Sequence, residues 1–157
     1  MEPTTKKRWF RAIGNSLQSL ILLLFRTFWG YQFAISGFGK FLHYKDIISA
    51  FQSWGIPFPE YSVAVIGGLE LILGVFLIFG LFSRFSALIL FVIMIGAYFS
   101  AEKDAITALV QNHDIMPLMS STPFPFAVAM FLIFCFGPGK IAIDYIKGGY
   151  NKTKEMP

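Results

Sequence analysis

The chain has 157 residues, 55% of them hydrophobic, 18% aromatic and only 14% charged. A soluble domain carries about a quarter charged residues, so the composition excludes a separate soluble domain and points to an integral membrane protein. The net charge of +4 is 13 Lys and Arg against 9 Asp and Glu, with the basic residues near the termini and no RNA- or DNA-binding motif, so it reads as topology information and no nucleic-acid partner is expected.

Residues 1–16 hold Lys6, Lys7, Arg8 and Arg11, and an apolar run follows. Together with Ala34-Ile35-Ser36 this imitates a secretory signal and its cleavage site. Arg26 interrupts the run, and bulky Trp29, Tyr31 and Phe33 crowd the supposed site, so an uncleaved first helix over about residues 17–42 is expected instead. On that helix Arg26, Gly30, Phe33, Gly37 and Lys40 recur at helical spacing and share one face.

Residues 43–61 form a first outer loop. Asp46 is placed to cap a short helix whose Ile47, Ile48, Phe51 and Trp54 share a face, Gly55 ends it, and Ile56-Pro57-Phe58-Pro59 leads into the next span. This segment is expected to lie at the membrane surface or to fold over the mouth of the bundle.

Residues 63–82 are apolar except for Glu70, and about 20 such residues cross a bilayer core. A carboxylate inside a span is costly unless it is partnered or wetted. Gly67, Glu70, Gly74, Leu77 and Leu81 share one face, and glycines beside the acid admit a close neighbouring helix. Counting residues from the helix ends puts Arg26 and Glu70 at similar depth, so a buried Arg26–Glu70 ion pair is expected between the first two spans. Its role is structural or functional with even weight.

A third span is expected over about residues 85–101, with Met94, Ala97, Tyr98 and Ala101 toward the bundle. Residues 102–123 make a second outer loop, and Thr122-Pro123 starts a short fourth helix over about residues 123–136. Gly137-Pro138-Gly139 then turns the chain, and 147–157 form a polar tail. Arg84 and Asp144, both at cytoplasmic ends, are expected to pair as a staple. Nine Lys and Arg fall on one side against two or three on the other, which places both termini in the cytoplasm and requires an even number of spans. The expected fold is therefore all-α: a four-transmembrane-helix bundle over residues 17–146 with short interfacial helices in the outer loops, in the inner (plasma) membrane.

Cys135 is the only cysteine, so there is no internal disulfide and no Cys-x-x-Cys; in its apolar run it reads as a small hydrophobe. His43 and His113 both fall on the outer side and read as solvated residues in preference to metal or haem ligands. No metal site is expected. Arg26, Lys40, Glu70 and Tyr98, with phenylalanines around them, make up a candidate ligand pocket into which a quinone would fit.

The motifs resemble those of the DoxX family of small four-helix membrane proteins. They are Arg26-x-x-x-Gly30, Gly37-x-x-Lys40, Gly55-Ile56-Pro57-x-Pro59, Gly68-x-Glu70-x-x-x-Gly74, Gly80-Leu81-x-Ser83-Arg84 and Gly137-Pro138-Gly139-Lys140-x-x-x-Asp144. One departure is that many such proteins carry a histidine near the outer end of the third helix, where this chain has Tyr98-Phe99-Ser100-Ala101. If that histidine serves a ligand in those proteins, the role is absent here or moved to His113. The resemblance implies a membrane scaffold, in some members tied to quinone or thiol redox work, and no defined reaction. The expected function is a non-catalytic membrane subunit of a redox-linked assembly, with a membrane or peripheral redox subunit as partner. The alternatives are a small transporter or lipid-binding bundle, and an assembly or cargo-binding scaffold.

Overall fold

The computed structural model describes residues 3–139 and 142–144, with side chains from residue 17 onward. Among the described residues seven helices follow in order: α1 (Pro3–Leu42), α2 (Tyr44–Ser53), α3 (Pro59–Phe79), α4 (Ser83–Ala101), α5 (Lys103–Asn112), α6 (Met116–Ser120) and α7 (Pro123–Phe136). Among the described residues three stretches are long and apolar enough to cross a membrane, namely Leu17–Leu42, Pro59–Phe79 and Ser83–Ala101. The fourth apolar helix, α7, has 14 residues, or about 21 Å of rise. The polar tail at 147–157 lies outside the described residues.

The packing is a four-helix arrangement in which α1 lies along α3, α4 lies along α7, and α3 joins the two pairs. The core runs through Phe33, Leu73, Leu77, Leu90, Met130 and Ile133. The α1–α3 seam shows why the glycine spacing matters. A Cβ on Gly30 would lie 2.7 Å from the Gly74 carbonyl oxygen, and one on Gly37 would lie 2.5 Å from both the Gly67 oxygen and the Leu71 nitrogen. Backbones this close admit no side chain, and in lipid such packing supplies the association that apolar burial cannot.

At one end of the bundle, hereafter the turn end, α3 passes into α4 through Gly80 and Phe82, both in the left-handed region (φ 71° and 46°). A bulky residue there is strained, and the Asp144 carboxylate offsets the strain by accepting hydrogen bonds from the Phe82 and Ser83 N–H groups at 2.9 and 2.8 Å. The Asp144 N–H in turn donates to the Gly80 carbonyl at 3.1 Å. At the other end, the lid end, α2 crosses the mouth of the bundle. Tyr44 Oη donates to the Glu60 carbonyl (2.7 Å), and Lys103 Nζ donates to the Trp54 carbonyl (2.9 Å), so α2 is tied down at both ends. The short helix expected after residue 43 is present, but it starts at Tyr44 and has no side-chain cap, so Asp46 lies within its first turn.

Candidate functional site

Beneath α2 the bundle holds a partly open cavity of about 790 Å³. Its roof is Ile47, Phe51, Trp54 and Ile56, and Phe33 and Phe126 lie lower in its wall. Phe126 meets both Trp29 and Phe33 edge-on at centroid distances of 5.0 Å, which joins α7 to α1 below the chamber. The α4 wall is Ile93, Met94, Gly96, Ala97, Ser100 and Ala101. The chamber is mainly apolar, but Ser36, Lys40 and Glu70 stand together in its wall.

Lys40 Nζ lies 2.5 Å from Glu70 Oε2 and also donates to Ser36 Oγ at 3.0 Å, and Ser36 Oγ donates to the same Glu70 oxygen at 3.0 Å. The Glu70 side chain is 3% exposed and that of Lys40 17%. Two of the three ammonium hydrogens are used within this triangle, leaving one. Among the described residues Glu70 Oε1 accepts no hydrogen bond. The triangle thus keeps a donor and an acceptor side by side with no net charge, suited to a neutral ligand carrying a carbonyl or hydroxyl.

The expected Arg26–Glu70 pair is not formed. Glu70 is taken by Lys40, and the Arg26 guanidinium lies against Gly80, where Nη1 donates to the Pro138 carbonyl at 2.9 Å. The cause is helix register. Gly30 faces Gly74 and Gly37 faces Gly67, which puts Ser36 across from Glu70 and Arg26 across from Gly80. Gly80 is ten residues beyond Glu70, about 15 Å along α3. Helical side chains also lean toward their own N-terminus, so in this antiparallel pair Lys40 and Glu70 lean together while Arg26 leans away. Glu70 does meet a cation of α1, but it is Lys40, the other one on the same stripe, and not the expected Arg26.

Of the four candidate pocket residues, Lys40 and Glu70 line the cavity and Arg26 and Tyr98 do not. The Tyr98 hydroxyl donates to the Leu118 carbonyl (3.1 Å) and accepts from Ser121 Oγ (3.0 Å), which fastens α4 to the segment before α7. The expected Arg84–Asp144 staple takes another form. Asp144 does reach the start of α4, but its carboxylate caps backbone N–H groups that a left-handed Phe82 exposes, while the Arg84 guanidinium lies beside Gly137. His43 borders the cavity, and His113 is exposed at the end of α5. Among the described residues no three His, Cys, Asp or Glu cluster as metal ligands.

Sequence reasoning missed Ser36, Gly39 and Gly96 as site residues. Ser36 carried a signal, since it stands one helical turn before Lys40 on the same face. The two glycines carried none.

Apolar helices fastened through close glycine contacts, with a polar triangle beside an apolar chamber, define a small helical membrane protein. Residues 21–103, more than half of the chain, match the DoxX family model, and the chain belongs to the DoxX family. The matched segment contains the Lys40–Glu70 pair, the glycine seam and the whole of α2, α3 and α4. The chain is also 28% identical over 148 residues, 92% of each sequence, to a protein of Haemophilus influenzae described as an uncharacterized protein. No solved structure matches it.

Proposed function

We propose that this DoxX-family protein is a multi-pass subunit of the inner membrane that binds a neutral ring compound of the quinone class and serves as the membrane part of a redox-linked assembly, without catalysing a reaction alone. In this reading α1, α3, α4 and α7 all cross the membrane, and the basic residues put both termini and the turn end on the cytoplasmic side. The lid end then faces outward.

The observation that carries the reading is the Lys40–Glu70–Ser36 triangle in the wall of an apolar chamber of about 790 Å³, a size typical of small-molecule sites. The remaining Lys40 N–H would donate to a carbonyl oxygen, and Glu70 Oε1 would accept from a hydroxyl, so the oxidised and reduced forms of one ring would each find a partner. Bound there, a quinone supplies a carrier of two electrons and two protons. The chain's own part is to orient that ring, hold it among aromatic side chains and keep Lys40 and Glu70 charged out of bulk water. The resemblance to DoxX-family proteins, some of them tied to quinone or thiol redox work, supports the redox assignment.

The same chamber would serve a small transporter or lipid-binding bundle. Gentle purification followed by native mass spectrometry separates the readings. The proposal expects a bound quinone-class molecule or a co-purifying redox subunit. Bare polypeptide in repeated preparations, with transport activity in liposomes lacking any partner, overturns it.

A further inference from the structure

The outward face of α4 bears a regular apolar stripe of Phe85, Leu88, Val92 and Phe99, exposed by 62%, 41%, 59% and 66%. The repeat of three and four residues calls for a side chain at position 96 as well, and there the chain has Gly96. Gly96 is itself exposed, lies in the cavity wall, and a Cβ built on it meets no atom within 4 Å. One residue is therefore both on the apolar outer stripe and in the wall of the chamber. The missing side chain leaves a gap where the chamber meets the surface that an apolar stripe of this kind turns to lipid. Above it α2 is tied down at both ends. Gly39, across the chamber on α1, likewise has nothing within 4 Å of a built Cβ, in contrast to Gly30 and Gly37, which are pressed against backbone.

We infer that the ligand enters this chamber sideways from the membrane, over Gly96, and is therefore a lipid-dissolved molecule. Gly39 keeps open the room it occupies. The inference rests on the ligand-binding reading above and adds the source of the ligand and the residue that admits it. Gly96 is a threshold residue with no part in any chemistry.

Trp54 in the chamber roof supplies the readout. With Trp9→Phe and Trp29→Phe it becomes the sole tryptophan, and its quenching by decylubiquinone is followed by stopped flow in phosphatidylcholine liposomes. Gly96→Phe is expected to slow quenching at least tenfold without lowering the melting temperature, whereas Val92→Phe, one turn away on the same stripe, keeps the parental rate. Gly39→Phe is expected to remove the quenching amplitude. If Gly96→Phe does not fold, Gly96→Cys in a Cys135→Ser background, capped with a bulky maleimide after folding, is to show the same slowing. A parental rate in the plugged protein, with amplitude still lost in Gly39→Phe, overturns the lateral entry and leaves the chamber as a ligand site. A tail-less water-soluble benzoquinone that quenches the plugged protein at the parental rate also overturns it, since access then runs from water past His43 and Thr122. No quenching of Trp54 in the parent overturns both inferences.

Discussion

The two ends of the bundle spend their polar groups differently. At the turn end, Arg26 donates to the Pro138 carbonyl, and Asp144 accepts from two backbone N–H groups at the start of α4, so charged side chains there serve the main chain. At the lid end, Lys40, Glu70 and Ser36 serve one another beside open space. The turn end has the character of a structural closure, and the lid end that of a site. The difference also separates two kinds of glycine, those on which helices are pressed together and those that leave room.

The largest effect is expected where the seam itself is broken. Gly37→Leu drives a side chain into the Gly67 and Leu71 backbone, and no monodisperse folded protein should survive size-exclusion chromatography, whereas Gly39→Leu, two residues away, should elute and melt like the parent. Next comes Glu70→Ala, which leaves Lys40 without its carboxylate. A cost of about 3–5 kcal/mol is expected in denaturant titrations, and Lys40→Met with Glu70→Leu should recover most of it because no lone charge remains. A smaller loss, about 1–2 kcal/mol, is expected for Asp144→Ala, which uncaps α4 at a strained Phe82. The smallest is the coupling between Arg84 and Asp144. A double-mutant cycle should return less than about 0.5 kcal/mol, since the carboxylate is committed to backbone N–H groups.

Much of this was legible in the sequence. Helical spacing gave the stripe of Arg26, Gly30, Phe33, Gly37 and Lys40 and the facing one of Gly67, Glu70, Gly74, Leu77 and Leu81, and all of these are buried except Lys40 and Leu81, which are half-buried. Thr122-Pro123 marked the start of α7, and Phe136 is its last residue. Residue counts from helix ends could not choose between Arg26 and Lys40, because they ignore the register of one helix on another and the lean of each side chain. The equal seven-residue gaps between Gly30 and Gly37 and between Gly67 and Gly74 held that register and would have selected Lys40. The Asp144 cap was invisible because it depends on a left-handed Phe82, a conformation that no residue type announces. The chamber was legible only in part: a pocket holding Lys40 and Glu70 was expected, but the glycines that leave it room were not. A glycine packed on backbone and a glycine facing empty space read alike in a sequence, and only the coordinates tell Gly37 from Gly39.

The account turns on whether the Lys40–Glu70 pair recognises a ligand or only joins two helices. Equilibrium binding of decylubiquinone to the Lys40→Met, Glu70→Leu double variant, in liposomes and on protein shown to be folded, decides this most directly. The variant keeps the chamber and loses only its charged pair. The account predicts affinity at least tenfold weaker than the parent, which is the loss of about one hydrogen bond, roughly 1.4 kcal/mol. Unchanged affinity would contradict it and leave the pair as a fastening between α1 and α3.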